Sequence, residues 1–273
     1  MQIYRRMDIG TAKPTLEEQA LVPHHMLDIV EPDASFSVAQ YVNQARQVIR
    51  QIHERGHLPL LVGGTGLYLQ GLTLPFDYGG LPSDPDVRSR LHADLNTIGE
   101  ERLHQRLAEI DPVSAAKYHP HDTRRVIRAL EVFELTGVPM SKHTPPSEAD
   151  SPYNMQIFAV DWPRDELHRR INLRVDQMIQ AGLAEEVHDL LESGVTPASQ
   201  SMQGLGYKEL IPFIEGRIPL SDAVEAIKTG TRNYARRQLT WFRRCSTCVW
   251  LQGASPATAK ETILQNWRLQ NGY

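Results

Sequence analysis

The 273-residue sequence contains very little cysteine, namely Cys245 and Cys248, which form a single C-x-x-C pair. A structural zinc site takes four ligands, so this pair supplies half of one, and the sequence has no second pair to complete it. A metal or redox role for the two cysteines is therefore the less favoured interpretation, and we predict no metal site in this sequence.

The sequence also lacks a long apolar run. No stretch approaches the length of about 20 residues that crosses a membrane. The N-terminal segment MQIYRRMD has no apolar signal region. We therefore predict a cytoplasmic protein with no membrane partner.

An excess of positive charge is absent too, because 29 Lys and Arg residues face 33 Asp and Glu residues, which gives a net charge of −4. Any nucleic-acid surface must therefore come from local clusters of arginine. The length allows one large domain or two modest ones, with a substantial core in either case.

The clearest pattern lies in Leu58–Leu72, LPLLVGGTGLYLQGL. Its apolar run Leu60–Val62 predicts a parallel strand that is buried on both faces. The glycine turn Gly63–Gly66 then allows a sharp change of direction into a helix. Ligands of open α/β sheets bind at such strand ends, so Thr65 is a candidate substrate contact. A tight connection packed against its neighbours is the alternative.

A strand, a helix and a second strand are predicted in succession. The run MLDIV, Met26–Val30, predicts the first strand. Capping boxes at Thr15 with Glu18 and at Ser37 with Gln40 begin a short helix and a long one. Because the long helix leads directly into Leu60–Val62, we predict a βαβ unit and an α/β fold with a parallel sheet.

From about Pro75 to Pro146 the sequence changes to charged helical pieces without a strand pattern. We predict that residues 75–146 form a helical insertion in a core made of residues 1–74 and 147–273. The helices of this insertion are predicted to be capped by Ser83 and Asp86, to begin at Asp111 with Pro112, and to run from Asp122 to Gly137.

The helix that begins at Asp122 carries Arg124 and Arg125 in its first turn. The helix macrodipole disfavours positive charge there, typically by about 0.3–1 kcal/mol. A bound anion would offset this cost, since exposed helix amides together with Arg124, Arg125 and Arg128 suit phosphate. A solvated basic face is the alternative.

The core resumes with a predicted strand over Met155–Val160 and a helix after Pro163. At about 100° per residue, Arg174 lies within or at the edge of the apolar stripe of this helix, and Arg170 lies just outside it. We therefore predict that Arg174 points inward, where a guanidinium needs a carboxylate or a bound anion as its partner. A buried ion pair is the alternative to an anion site.

Two further segments carry possible binding residues. The segment Ser201–Glu209, SMQGLGYKE, predicts a turn into a helix. The segment Thr231–Arg244 predicts a helix with five arginines in 14 residues, interleaved with Tyr234, Trp241 and Phe242. RNA surfaces use arginine to neutralise phosphate and aromatic rings to stack on bases. Although some of these rings must be core, the arginine density on a net-acidic chain argues for a polyanion partner.

Five ordered runs, YRRMDIGTAKP, LLVGGTGLYLQGL, RRINLRVDQM, GLGYKEL and RRQLTWFRR, resemble those of the bacterial tRNA dimethylallyltransferase family across essentially the whole chain. The resemblance implies transfer of a dimethylallyl group from its pyrophosphate to N6 of adenosine 37, in tRNAs that read codons beginning with U. It also implies a P-loop-type core with a helical insertion that grips the anticodon stem. The expected partners are the tRNA anticodon stem-loop and dimethylallyl pyrophosphate, and we expect a monomer.

The resemblance also assigns site residues by motif. Thr65 is expected to contact the target nucleotide and Arg174 to act with it in catalysis, while Arg174 and Arg170 bind pyrophosphate. The residues expected to contact tRNA are Met1, Gln2, Thr65, Arg88, Arg124, Arg125, Arg128, Gln203, Gly206, Tyr207, Lys208, Arg236, Arg237, Gln238, Thr240, Trp241 and Arg243.

The sequence departs from the family pattern before Met1. Family members begin with a strand and a phosphate loop of the GPTASGKT kind, and then a strand that ends in Asp-Ser, none of which is present. We therefore expect an N-terminally truncated chain whose phosphate loop, Mg²⁺ ligands and general-base aspartate are missing. A tRNA-binding remnant without chemistry and a P-loop small-molecule kinase are the alternative functions.

Overall fold

The computed structural model describes residues 1–73, 81–143 and 151–271. The chain divides into two compact units, one made of Met1–Gln70 with Asn154–Tyr273 and the other of Gly71–Tyr153. The predicted domain boundaries at Pro75 and Pro146 lie outside the described residues, so the division predicted above stays a prediction.

The fold is rich in helix and contains a small parallel sheet. Short 3-10 turns cover Met140–Lys142 and Ser201–Gln203. In chain order, the described elements are α1 (Leu16–Leu21), α2 (Val38–Glu54), α3 (Gly66–Thr73), α4 (Pro85–Ile110), α5 (Pro112–Ala115), α6 (Thr123–Thr136), β1 (Ile157–Asp161), α7 (Arg164–Gln180), α8 (Leu183–Glu192), α9 (Tyr207–Ile214), α10 (Leu220–Phe242), β2 (Cys248–Gln252) and α11 (Pro256–Asn271).

Local capping signals set the helix starts largely as predicted. Ser37 and Gln40 form the expected capping box at α2, because the Ser37 hydroxyl accepts from the Gln40 amide at 3.2 Å and the Gln40 side chain accepts from the Ser37 amide at 2.8 Å. Thr15 with Glu18 does the same at α1. Gly137 ends α6 in the left-handed conformation, with φ of 70°.

The predicted capping of α4 by Ser83 and Asp86 is wrong. Asp84, and not Ser83 or Asp86, caps this helix, because its carboxylate accepts from the amides of Asp86 at 2.8 Å and Val87 at 3.3 Å. The Ser83 hydroxyl instead accepts from the Arg88 guanidinium at 2.9 Å. The Ser83 hydroxyl, which the sequence pattern predicted would accept from the helix amides, therefore binds Arg88 instead.

β1 and β2 form a two-stranded parallel sheet in which Ile157 lies opposite Cys248. The chain between the two strands passes through α7 to α10, since parallel strands need a crossover connection. The strand predicted over Met155–Val160 is thus confirmed with shifted bounds, and the parallel sheet is confirmed on this small scale. A P-loop-type core stays a prediction.

Two other predicted strands are not strands in the described residues. Leu60–Val62 lies outside any helix or strand, and Leu60 and Val62 are 77% and 93% exposed. Met26–Val30 contributes only one bridge, in which Val30 pairs with Tyr4. Apolar and β-branched composition shows which residues suit a strand, but a strand forms only where a second backbone pairs with it. The predicted βαβ unit is therefore wrong.

Each unit has its own apolar core, and α4 packs against α6 in the second. No helix within residues 1–73, 81–143 and 151–271 combines the length and the apolarity needed to cross a membrane. The core of the first unit includes Met7, Val175, Leu183, Val187, Leu190, Tyr207 and Leu210, and that of the second includes Leu91, Leu103, Leu107, Val126, Ile127 and Leu130.

Candidate functional site

The glycine turn Gly63–Gly66 packs directly against α10. The Gln238 side chain donates to the Gly64 carbonyl at 3.0 Å, and a Cβ at Gly64 would lie 1.8 Å from the Gln238 amide nitrogen. A Cβ at Gly66 would lie 2.5 Å from the Trp241 indole. The turn therefore needs glycine because a helix covers it, which supports the packed-connection interpretation at these two positions.

Thr65 nevertheless remains exposed between these two contacts. Its carbonyl accepts from the amides of Tyr68 at 3.0 Å and Leu69 at 3.1 Å, so Thr65 begins α3. The Tyr68 ring stacks on Tyr41 of α2, with centroids 4.1 Å apart. Two helices thus hold the turn in place, and its one hydroxyl side chain faces solvent.

Arg174 lies on the exposed side of α7, so the prediction that it points inward is wrong. Ile171 and Val175 take the buried face, and Arg174 is turned by about 100° from Val175. Within the described part of the chain, Arg174 forms no ion pair. The guanidinium is therefore solvated and available to an anion, for a different reason from the one predicted.

Arg170 is engaged within the protein. It donates to Glu166 at 2.6 Å, and its guanidinium lies 3.7 Å from the centroid of the Trp162 ring. Hydrogen bonds from Arg169 and then Arg170 lower the pKa of the Glu166 carboxyl to about 2. Arg170 is thus less available to a ligand than Arg174.

The helix α10 presents cations outward and packs some of its other side chains inward. Arg236 and Arg237 are exposed, as is Arg243 directly after the helix, and the Arg237 guanidinium lies 5.7 Å from the Tyr234 ring centroid. Thr240 is exposed as well, although its hydroxyl donates to the Arg236 carbonyl of the same helix at 2.9 Å. This face combines clustered positive charge with an aromatic ring, as single-stranded RNA surfaces do.

In the second unit, Arg88 and Arg128 bind the same buried carboxylate. Both guanidinium groups donate to Glu131, at 3.0 and 2.7 Å, and Glu131 is fully buried. Burial alone raises the pKa of Glu131, but the bonds from Arg128 and Arg88 outweigh it and lower the pKa. Sequence reasoning missed Glu131, although its i,i+3 spacing from Arg128 was a usable signal. Both arginines are therefore structural partners of Glu131, whatever else they contact.

Arg124 and Arg125 differ although they are adjacent in α6. Arg125 pairs with Asp122 at 3.0 Å and lies 5.9 Å from the centroid of the Tyr118 ring. Arg124 is exposed and forms no ion pair with any residue that the structure describes. In that same part of the chain, the Asp122 side chain makes no capping bond to the helix amides. Of the two, Arg124 is the one available to phosphate.

The N-terminal residues fold back onto the chain. The Gln2 side chain donates to the carbonyls of Thr11 at 3.1 Å and Ala12 at 2.9 Å. A Cβ at Gly204 would lie 2.4 Å from the Met1 methyl group. The start of the chain therefore lies beside the segment 201–209, and two predicted groups of tRNA contacts meet.

Within that segment the predicted contacts separate into buried and exposed residues. Tyr207 is fully buried, and its hydroxyl donates to Glu186 at 2.6 Å, so its side chain offers no surface to RNA in this structure. Gly206 is also buried and begins α9 with φ of 97°, a conformation that favours glycine. Gln203 and Lys208 are exposed, although Gln203 donates to the Pro197 carbonyl at 2.8 Å.

Metal-binding groups do not converge in the described ranges. No three His, Cys, Asp or Glu side chains among residues 1–73, 81–143 and 151–271 lie close enough to hold a metal ion. Cys245 and Cys248 are both free thiols. The Mg²⁺ expected from the resemblance was predicted to have its ligands before Met1, and the described residues contain no cluster of three such side chains.

Sequence comparison places the chain among known proteins. A sequence model of the IPP transferase family matches residues 2–245. A tRNA dimethylallyltransferase of Pelotomaculum thermopropionicum is 50% identical over 252 residues, which is 92% of this chain and 80% of that protein.

Two solved structures have a similar fold. The tRNA delta(2)-isopentenylpyrophosphate transferase of Staphylococcus epidermidis has a TM-score of 0.71 at 38% identity, over 99% of this chain and 88% of that one. A eukaryotic dimethylallyltransferase acting on tRNA has a TM-score of 0.81 at 26% identity, over 99% of this chain and 71% of that one.

Proposed function

The chain belongs to the IPP transferase family of tRNA dimethylallyltransferases, and we propose that it transfers a dimethylallyl group to N6 of adenosine 37 in tRNAs that read codons beginning with U. The observation that carries the proposal is the contact between the glycine turn Gly63–Gly66 and α10. It brings the exposed Thr65 next to a helix that presents the exposed Arg236 and Arg237 and is followed directly by the exposed Arg243.

The reaction is a displacement at an allylic carbon. N6 of the adenine forms a bond to C1 of the dimethylallyl group while the bond from C1 to the pyrophosphate oxygen breaks, and the proton that N6 loses passes to water. Negative charge develops on the departing pyrophosphate, and a cation that is already in place stabilises it. We assign this role first to Arg174, which is exposed and has no carboxylate partner in the described residues. Arg170 is second, because Glu166 and Trp162 already engage it.

Thr65 is assigned to the target nucleotide, through the hydroxyl that faces solvent at the start of α3. The target base must leave its stack to react, which is the rule for enzymes that modify bases. The proposal includes dimethylallyl pyrophosphate as the second substrate, a monomeric protein and a cytoplasmic location.

Arg236, Arg237 and Arg243 are assigned to the phosphates of the anticodon stem-loop. Removing one phosphate contact should reduce the slope of log affinity against log salt concentration by about one unit. Trp241 and Gln238 pack on the glycine turn. We therefore propose that they hold the turn and α10 together and do not bind phosphate.

The test is binding of an anticodon stem-loop with adenosine at position 37 by the double variant Arg236→Ala/Arg237→Ala. We expect affinity to fall by about tenfold to a hundredfold and the salt dependence to flatten by about two units. The matched control, Arg50→Ala/Arg55→Ala, removes two exposed arginines of the α2 region and should change neither quantity. Equal effects of the two double variants would refute the assignment of α10 to tRNA.

A further inference from the structure

Four hydrogen-bond donors converge on the carboxylate of Glu186, in the first turn of α8. One oxygen accepts from the amides of Asp8 and Ile9, each at 2.8 Å. The other accepts from the Gly10 amide at 3.1 Å and from the Tyr207 hydroxyl at 2.6 Å. We call these four donors and their acceptor the Glu186 clamp.

The residues of the clamp are closely packed, so neither Tyr207 nor Gly10 has room to move. Tyr207 is fully buried, and burial together with the neighbouring Glu186 raises the pKa of its hydroxyl well above the usual range, so it stays a donor. A Cβ at Gly10 would lie 2.6 Å from the Tyr207 ring, so only glycine fits there. Three successive backbone amides form a concave anion site, and the protein's own carboxylate fills it.

The clamp connects two segments that the family resemblance assigns to tRNA, the N-terminal segment and the segment 201–209. The loop that begins at Asp8 is tied to Gln2, whose side chain donates to the carbonyls of Thr11 and Ala12. Tyr207 stands immediately before the exposed Lys208. One carboxylate therefore fixes the N-terminal segment and the start of α9 relative to each other.

We propose that Glu186 is a positioning residue for tRNA, which holds the N-terminal contacts and the contacts around Lys208 in one register. The inference rests on the proposed function. A positioning role can be distinguished from a purely stabilising one. The clamp sets the spacing of contacts to the anticodon loop, whereas the phosphate contacts of α10 do not involve the clamp. Loss of the clamp should weaken recognition of the loop and spare general RNA binding.

Glu186→Gln tests the clamp with the smallest change of shape. The amide keeps one acceptor oxygen but directs an NH₂ group at two donors. The Tyr207 hydroxyl can reverse its role and accept, whereas the Gly10 amide cannot. The matched control is Glu185→Gln, which removes the same charge from the same turn. Glu185 is exposed and, in the described residues, bonds to none of the clamp groups.

The full chain and both variants are titrated with an anticodon stem-loop carrying adenosine 37 and with a duplex RNA of equal length without a loop. Glu186→Gln should weaken stem-loop binding by about tenfold and duplex binding by less than about twofold. Glu185→Gln should change both by less than about twofold. Tyr207→Phe removes one of four donors, so it should cost about threefold for the stem-loop, and adding it to Glu186→Gln should cost little more.

The outcomes separate the two proposals. Equal losses for stem-loop and duplex, or equal effects of the two glutamine variants, overturn the positioning role and leave the proposed function standing. Failure of the unmodified chain to prefer the stem-loop over the duplex overturns the proposed function, and the positioning role with it. A thermal midpoint recorded for each variant shows which losses follow from unfolding alone.

Discussion

The arginines of the segment 231–244 and two arginines of the second unit, Arg88 and Arg128, were all predicted to contact tRNA, yet their surroundings differ. Arg236, Arg237 and Arg243 face solvent. Arg88 and Arg128 hold a fully buried glutamate. The difference teaches that arginine density identifies a candidate RNA surface only after the carboxylates nearby have been assigned. An arginine that neutralises a buried carboxylate is held in place by that ion pair, and breaking the pair to bind RNA would cost stability.

The largest expected effect is on the buried pair itself. Glu131→Ala leaves Arg88 and Arg128 without their shared partner and should lower the free energy of unfolding by about 3 kcal/mol. This is the low end of the range for a broken buried ion pair, because both arginines remain partly exposed and can be hydrated. Denaturant unfolding followed by circular dichroism measures it. Glu109→Ala, at an exposed position of α4, is the control. If Glu131→Ala lowered the free energy of unfolding by no more than Glu109→Ala does, Arg88 and Arg128 would not differ energetically from the solvated arginines.

Acid should affect the second unit next most strongly. Burial raises the pKa of Asp111, but bonds from Ser141 and Ser114 outweigh it and lower the pKa to about 2, from 3.8. A lowered folded-state pKa contributes stability that is present above the unfolded pKa and is lost as pH falls. About 2 kcal/mol should therefore disappear between about pH 4 and pH 2.

Asp111→Asn is the variant that tests this pH dependence. It should flatten the fall of the unfolding free energy across that window, whatever it does to stability at neutral pH. The slope is measured by denaturant unfolding at a series of pH values. An unchanged slope would show that other carboxyl groups carry the acid sensitivity of this unit.

The smallest expected effect concerns the neighbouring pair in α6. Arg124→Ala should weaken anticodon stem-loop binding by about threefold and reduce its salt slope, because Arg124 has no partner in the described residues and is free to meet phosphate. Arg125→Ala is the matched variant, and it should change binding less because Asp122 already holds Arg125. The reverse order, read from salt titrations, would mean that pairing does not decide which arginine reaches RNA.

What the sequence predicted well is local, and what it missed is distant. Ser37 and Gln40 are three residues apart, so their capping box needs nothing else from the chain. Leu60–Val62 has strand composition, but pairing depends on a second backbone that no local pattern supplies. The resemblance to tRNA dimethylallyltransferases, confirmed by the comparisons, identified the family through five short runs.

The site residues follow the same division. Thr65 and the arginines of the segment 231–244 could be predicted as candidates because glycine turns and arginine-aromatic interleaving are visible in a short window, and the structure shows Thr65, Arg236, Arg237 and Arg243 exposed. Glu186 lies 176 residues from Gly10, and nothing in its own helix distinguishes it from Glu185. The direction of Arg174 was predicted wrongly because one position of helix phase separates a buried face from an exposed one.

The contact between Trp241 and Gly66 gives the chain an optical reporter. The sequence has four tryptophans, and this one lies against the turn that carries Thr65. Indole emission depends on the polarity of its surroundings, so a nucleotide seated at Thr65 would alter the emission of Trp241. Subtracting the emission spectrum of Trp241→Phe from that of the natural chain isolates the signal of Trp241. Binding of a nucleotide at Thr65 can then be followed by intrinsic fluorescence, without an added label.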